Sequence, residues 1–434
     1  MGDSPLGTNG LDAAPTPLEN TNSNLRPLSG IKVIDLSRLL PGPYASMLLA
    51  DFGADVIKIE EPTTGDPARY MSPKIDEECA FFKEVNRNKR SLTLNLKDAK
   101  GLETFYRIIA QSDVLLEGFR PGVTERLGID YKRVNEANPA IVYCSITGYG
   151  HDSPLRDRSG HDVNYLGLAG LLGLTIDDRG KPTIPGTQLA DLGGALMAVI
   201  AIQLALLLRA KMGKGQFIDL SMTDSVLSMM PIVAAGYFAG SANIADGRYE
   251  LTSANPYYAI YRTKDGRYMS LGALEPKFWE NFCEAIGRPD LKRRQFDEGK
   301  KREDLFNILK RQFGSKTQAE WIELFSGHDA CCEPVLNFNE AINHPNTVAR
   351  KMVIQDSAGR SHLANPIRFS AIDAPETRPS PKLGEHTQEI LREFGFSHDE
   401  EKQLAKRGIT RAQISWTSGL TNFFSRMFRS VAGR

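Results

Sequence analysis

His161 and Asp191 are the two side chains whose type and setting best suit proton chemistry. His161 stands in Gly160-His161-Asp162-Val163-Asn164-Tyr165, and Asp191 in Leu189-Ala190-Asp191-Leu192-Gly193-Gly194. Each lies beside glycine and next to an expected helix start. An imidazole has the unperturbed pKa nearest neutrality, so it takes or gives a proton with little bias. A carboxylate is ordinarily too weak a base for a carbon acid, but desolvation in a narrow cleft raises its pKa into a useful range. Together the two groups could remove and return a carbon-bound proton. The aspartate alone would suit acyl or CoA transfer. The plain structural alternative is a satisfied His–Asp loop pair and an N-capping aspartate. For Gly193 and Gly194 the expectation is that they let the helix start approach a ligand, its free N–H groups stabilising an enolate oxygen.

Glu275, in Gly272-Ala273-Leu274-Glu275-Pro276, ends an expected strand just before a proline-initiated helix. Either the helix dipole favours it there, or it reaches from a second domain to orient His161 or a water. Two basic segments suit an anion. Asn86-Arg87-Asn88-Lys89-Arg90 precedes the strand Ser91–Leu96. Gly118-Phe119-Arg120-Pro121-Gly122 follows the strand Asp113–Glu117, with Arg126 one helical turn beyond. Ligands of open α/β sheets bind beyond the carboxyl ends of strands. Arginines and backbone donors there fit a phosphate-bearing ligand, and Phe119 could stack on a purine. A solvated basic loop is the alternative. The sequence carries no Gly-x-Gly-x-x-Gly, Walker loop, nucleophile elbow or zinc-type cluster, which removes support for dinucleotide, ATP-hydrolysis, serine-hydrolase and zinc readings.

The elements that must position these residues alternate. Ile31–Leu36 is a short apolar strand, Pro41-Gly42-Pro43 leads into a helix over Tyr44–Phe52, Gly53 caps it, and Ala54–Ile59 is the next strand. That is a βαβ crossover. Strands and helices continue to alternate through Gln216–Met222, which predicts a parallel sheet covered on both faces. Asp191–Ala210 is a long apolar helix. From about Asp224 the helices lengthen, with a hairpin turning at Lys264-Asp265-Gly266. The fold class is therefore α/β with a second, smaller α+β domain. Expected boundaries are a disordered arm over 1–27, a large domain over 28–223 completed by 335–400, a small domain over 224–334, and a tail over 401–434. Trp416, Leu420, Phe423, Phe424, Met427, Phe428 and Val431 form a helical stripe in that tail. It suits packing on its own or a partner subunit, or a weak contact with a membrane surface.

With 434 residues, more than one hydrophobic core is expected. Lys+Arg and Asp+Glu both total 53, so no global field favours nucleic acid and any anion site must be local. The five cysteines are odd in number and lack metal spacing, which fits a reducing compartment. No secretory signal is visible in the polar first 27 residues. The apolar run Ala195–Leu208, broken by Gln203, reads as too short to span a bilayer. The expected location is cytoplasmic, with mitochondria open for a eukaryotic source.

At several stretches the chain resembles the class III CoA-transferase (formyl-CoA transferase-like) superfamily and, within it, the α-methylacyl-CoA racemases. The stretches include Pro41-Gly42-Pro43, Asp51 to Ile59, Asn88 to Leu92, Gly118 to Val123, Gly213-Lys214-Gly215-Gln216 and Gly384-Glu385-His386-Thr387. The match runs from about Leu28 to Phe396. By this resemblance His161 and Asp191 are the two catalytic bases of a racemase, or Asp191 alone is the CoA-bearing nucleophile of a transferase. Glu275 then lies close to the pair.

The resemblance also implies a Rossmann-like large domain, a small domain and an interlocked homodimer. CoA arrives as part of the acyl-CoA substrate, with no permanently bound cofactor and no metal. Leu94, Asn95, Leu96, Lys97, Gly118, Phe119, Arg120 and Arg126 would hold it, with Gly160, Asp162, Asn164 and Tyr165 lining the site. Gly65-Asp66-Pro67-Ala68-Arg69 looks more like the transferases. Glu61 stands where the superfamily often has an arginine near the adenine, so Arg69 is expected to substitute. A third, non-enzymatic reading is a CoA-binding scaffold docked through its tail.

Overall fold

The computed structural model describes residues 26–177, 179–240, 249, 251–372 and 377–411. The expected N-terminal arm, apart from its last two residues, and the tail stripe from Trp416 to Val431 lie outside them. The chain begins with β1 (Lys32–Asp35), α1 (Pro41–Asp51), β2 (Asp55–Glu60), the two-residue strands β3 (Lys74–Ile75) and β4 (Glu78–Cys79), and α2 (Ala80–Val85). It continues with β5 (Arg90–Thr93), α3 (Ala99–Ile109), β6 (Val114–Glu117), α4 (Val123–Leu127), α5 (Tyr131–Ala137) and β7 (Val142–Thr147). Next come α6 (Asp162–Leu168), α7 (Leu171–Leu174), α8 (Leu189–Met212), β8 (Gln216–Ser221), α9 (Met222–Ser228) and α10 (Pro231–Phe238). Then follow β9 (Tyr258–Arg262), β10 (Tyr268–Gly272), α11 (Pro276–Ala285), α12 (Gly299–Phe313), α13 (Gln318–Phe325) and β11 (Cys332–Pro334). The chain ends with α14 (Phe338–Asn343), α15 (Pro345–Ala349), β12 (Val353–Gln355), β13 (Ser361–Leu363), α16 (Thr387–Glu393) and α17 (His398–Lys406).

The described residues fall into two compact units: those within 26–146, 195–219 and 352–411 form one, and those within 147–194 and 220–351 the other. This differs from the boundaries expected from sequence, which put 147–194 in the large domain, return the chain near Val335 and leave 401–434 as a tail. Leu404 and Ile409 in fact belong to the core of the first unit, and the Asn95 N–H donates to the Ile409 carbonyl.

The first unit is built on a six-stranded sheet in the order β5-β2-β1-β6-β7-β8. The pairs β1·β2, β2·β5, β1·β6 and β6·β7 are all parallel. Val33, Ile34, Val56, Ile57, Leu115 and Leu116 are fully buried, as expected of strands covered on both faces. Helix α1 starts on Pro41, whose missing N–H costs nothing there. It is followed by Gly53 at φ +96°, where an added Cβ would strike Arg26. Because β1 has β2 on one side and β6 on the other, the strand order reverses between β1 and β6. This is the Rossmann-like arrangement, and ligands of such sheets bind beyond the carboxyl ends of the strands where the order reverses.

The second unit centres on the antiparallel sheet β11-β10-β9, whose β9·β10 hairpin has the expected turn. Trp279, Phe282, Phe313 and Trp321 are fully buried against it. Their indole N–H groups find carbonyl acceptors at Leu291 and Phe313, so burial leaves no orphan donor.

Helix α8 runs for 24 residues, further than the sequence run suggested, and is long and apolar enough to cross a membrane by those two criteria alone. Ala195, Ala198, Val199, Ile202 and Ala205 are buried, as in a core helix, whereas Leu196, Ile200, Leu204, Leu207, Leu208 and Met212 form an exposed stripe.

Candidate active site

His161 and Asp191 both belong to the second unit, and one carboxylate ties their segments together. Asp162, the first residue of α6, accepts the backbone N–H of Ala190 at 2.7 Å and of Asp191 at 3.2 Å through Oδ1. His161 is thereby the covalent neighbour of the group docked on the start of α8. The imidazole is exposed and Asp191 is half-buried. Burial first, and the Asp162 carboxylate second, push the Asp191 carboxyl up to about 7. A carboxyl at that value can hold or release a proton near neutrality.

The loop leading to His161 is shaped from within. The Tyr165 hydroxyl donates to the Gly160 carbonyl at 2.7 Å, and Tyr149 packs edge-on against the Tyr165 ring at 5.2 Å. A Cβ at Gly160 would fall 2.6 Å from that ring. Asn164 Oδ1 accepts the His161 N–H at 3.0 Å. Gly160, Asn164 and Tyr165, expected to line the ligand, thus also fix the backbone that carries the imidazole.

The helix-start expectation needs correcting. Helix α8 begins at Leu189, two residues before Asp191. The N–H groups of Ala190 and Asp191 are taken by Asp162, and that of Leu192 by the Gln188 carbonyl. These three amides are therefore not open to an enolate oxygen. Gly193 and Gly194 meet α9 rather than open space. A Cβ at either would lie 2.5 Å from the Met229 side chain or 2.8 Å from that of Met222. Glu275 precedes α11 as its N-cap residue and is exposed. Among the described residues no hydrogen bond or ion pair joins its side chain to His161 or Asp191.

In the first unit the basic segment before β5 is not a ligand site, because every cation in it is already committed. Arg87 pairs with Asp51 at 2.7 Å, and Asn88 donates to the same carboxylate. Lys89 reaches Asp35 at 3.2 Å with both side chains fully buried. Arg90 grips Asp55, Glu389 and Glu393. Arg69 does not stand in for a ligand-facing arginine either. It is bidentate to Glu60, donates to the Pro381 carbonyl and lies 3.9 Å over the Phe82 ring. Glu61 closes its own turn by accepting from Thr63 and Thr64.

The other segments keep open donors. Leu94, Asn95, Leu96 and Lys97 follow the carboxyl end of β5, with Leu94 buried and Lys97 exposed. Gly118, Phe119 and Arg120 follow β6. The Phe119 N–H is held at 2.7 Å by the buried Glu117 carboxyl, which burial pushes up to about 7. Arg120 and Arg126 are exposed and have no carboxylate partner among the described residues. The sequence reading missed two residues here, Glu117 and Arg38. The Arg38 guanidinium lies 5.2 Å over the Phe119 ring.

An anion-ready switch point and a segment carrying a high-pKa aspartate set the chemistry against which relatives can be compared. The sequence pattern of CoA-transferase family III matches residues 28–387. The chain belongs to CoA-transferase family III. It is similar to the succinyl-CoA:glutarate CoA-transferase of Homo sapiens, 34% identical over 385 residues and covering 86% of each chain. It is also similar to the alpha-methylacyl-CoA racemase of Homo sapiens, 35% identical and covering 87% of this chain and 96% of that one. Among solved structures it resembles a CAIB/BAIF family protein from Brucella suis, with a TM-score of 0.74, 32% identity, and coverage of 85% and 99%. Family III thus includes both reaction types among this chain's relatives, and the chain is a racemase-like member of it.

Proposed function

We propose that the protein is an acyl-CoA racemase or epimerase that moves a proton at the α-carbon of a 2-methyl-branched acyl-CoA thioester. The observation that carries this reading is the Asp162 bridge, which docks the neighbour of His161 onto the backbone of Asp191. In the proposed reaction His161 and Asp191 flank the α-carbon on opposite faces. One base takes the proton, electron density moves onto the thioester oxygen as an enolate, and the other group returns a proton to the opposite face. The thioester itself acidifies the α-carbon, so the chemistry calls for no metal or redox group. An Asp191 carboxyl near 7 supports a proton-exchanging role over that of a permanently ionised nucleophile. Glu275, at the N-terminus of α11, would tune or orient the pair. Lys97, Phe119, Arg120 and Arg126, beyond the carboxyl ends of β5 and β6, would hold the phosphate-bearing CoA part. The exposed stripe on α8 supports a homodimer, in line with the interlocked assembly that the resemblance implies.

A second reading is favoured by the transferase relative and by the Gly65-Asp66-Pro67-Ala68-Arg69 stretch. In it Asp191 attacks an acyl-CoA and later carries CoA as an enzyme thioester, and His161 is a pocket residue. One experiment separates the two. The protein is incubated with a single epimer of a 2-methylacyl-CoA in heavy water, with and without a carboxylate acceptor. Deuterium at C2 without acceptor is the expected result. Acceptor-dependent CoA exchange without C2 label would establish the transferase instead, and silence in both would leave a binding scaffold. His161→Ala should slow C2 exchange by roughly 10²- to 10⁴-fold, whereas a transferase would keep most of its rate.

A further inference from the structure

The peptide group between Gly160 and His161 is held at both of its polar ends. Its carbonyl oxygen accepts the Tyr165 hydroxyl at 2.7 Å, and its N–H, on His161, donates to Asn164 Oδ1 at 3.0 Å. The His161 carbonyl in turn accepts the backbone N–H of Asn164 at 2.8 Å and of Tyr165 at 3.3 Å. Both residues stand in the first turns of α6, for which His161 is the N-cap residue at φ −129° and ψ 172°. A side chain three residues on that returns to the N-cap N–H is an ordinary helix start. The tyrosine adds what no cap requires, a bond to the carbonyl one residue ahead of the N-cap.

That tyrosine is itself fixed. Its ring is buried, and Tyr149 meets it edge-on at 5.2 Å. A Cβ at Gly148 would fall 2.5 Å from the ring, as close as the one at Gly160. Gly148 is tethered in turn, its carbonyl accepting the Thr223 N–H at 3.1 Å and the Thr223 hydroxyl at 2.7 Å. A peptide group is planar, so rotating the one before His161 would break both of its bonds. The direction in which the His161 side chain leaves the backbone is therefore set. The same helix start sets the other base, because Asp162 holds the amides of Ala190 and Asp191. Different side chains thus hold the two bases, Asp162 for Asp191 and Asn164 with Tyr165 for His161.

We propose that Asn164 and Tyr165 are positioning residues for His161, acting independently of the group that holds Asp191. The proposal rests on the reading of the chain as a two-base acyl-CoA epimerase. In that reaction each base deprotonates one epimer, the C–H electron pair passing into the enolate. The proton exchanges with solvent while the base holds it, and its return to the same face gives exchange with retention. Loosening His161 alone leaves exchange from the epimer that Asp191 deprotonates. It slows exchange from the other epimer, and it slows inversion of both, because inversion needs both bases.

The test follows C2 deuterium uptake and inversion in heavy water for each epimer of a 2-methylacyl-CoA. Wild type is compared with Tyr165→Phe, Asn164→Ala and Asn164→Asp. Tyr165→Phe and Asn164→Ala should each lower kcat for uptake from one epimer roughly 10- to 100-fold, the scale of a misplaced reacting group. Uptake from the other epimer should stay within about twofold and KM should change as little, since binding is not what the clamp serves. Asn164→Asp keeps an acceptor oxygen and should recover most of what Asn164→Ala loses. Equal losses for both epimers would overturn the proposal, because the helix start would then act as scaffold alone. Wild-type rates in both variants, or a loss confined to KM, would overturn it too. If Tyr165→Phe fails to fold, as its urea midpoint would show, the two Asn164 variants decide the matter. Wild-type protein that takes up deuterium from neither epimer would sink the epimerase reading and this proposal with it, an outcome seen before any variant is compared.

Discussion

Asp162 and Asp191 face each other as a capped helix start: the Asp162 carboxylate receives the Asp191 N–H while its charge lies beside the Asp191 carboxyl. The two effects can be separated. Asp162→Asn keeps an oxygen acceptor and removes the charge. Burial remains, so the Asp191 pKa should fall only part of the way toward its ordinary value. The acid limb of the pH profile for C2 exchange should therefore move to lower pH. Asp162→Ala should instead lose the cap and about 1 kcal/mol of stability. A pH profile that does not move in Asp162→Asn would show that Asp191 is not the titrating base.

The raised pKa of Asp191 also carries a stability cost whose sign is fixed. The native state binds a proton more tightly than the unfolded chain between the ordinary value of 3.8 and about 7. Stability from this residue is therefore lost as pH rises through that window and stays low above it. Asp191→Asn removes the titration. The variant should be more stable than wild type at pH 8, by on the order of 4 kcal/mol at most, and the gap should close near pH 4. Urea midpoints at the two pH values measure this, while C2 exchange should fall to background.

The exposed stripe on α8 gives a prediction about assembly. Leu204 and Leu207 are each more than 60% exposed on a helix that elsewhere packs into the core, and fully burying a leucine is worth roughly 2 kcal/mol. Wild-type protein should sediment as a dimer, and Leu204→Glu should shift it toward monomer and cut activity if the partner completes the site. A monomeric wild type at micromolar concentration would remove the basis for the dimer.

Much of this was legible in the chain itself. The βαβ start, the parallel sheet and the β9·β10 hairpin follow from apolar runs and turn residues that act locally. The commitments of the cations did not show. Asn86 to Arg90 reads as an anion site because sequence displays charges without their partners, and Glu389 and Glu393 lie some three hundred residues from the Arg90 they hold. Arg38 was invisible for the converse reason. Its place over the Phe119 ring, in the loop after β6, is a tertiary contact that spacing cannot reveal. The start of α8 was misplaced because Asp162, far off in sequence, caps it.

His362 supplies a test in which pH acts on packing rather than catalysis. Its Nδ1 lies 2.8 Å from Glu84 and its Nε2 3.2 Å from Asp356, so the hairpin β12–β13 is clipped to α2 through one ring. Carboxylates only accept, so both contacts are hydrogen bonds only when both nitrogens carry protons. The Glu84 contact, opposed by burial and aided by Asp356, raises the His362 pKa above 6.5. The neighbouring cations are engaged elsewhere or shared, Arg87 with Asp51 and Glu84 and Arg360 with Asp76. A histidine whose pKa is raised in the folded state contributes fully below its unfolded value and loses that contribution as pH climbs through the folded one. His362→Gln should therefore lower the urea midpoint at pH 6 and approach wild type at pH 9. A deficit that is equal at both values would mean the ring acts by shape alone, with no proton held between Glu84 and Asp356.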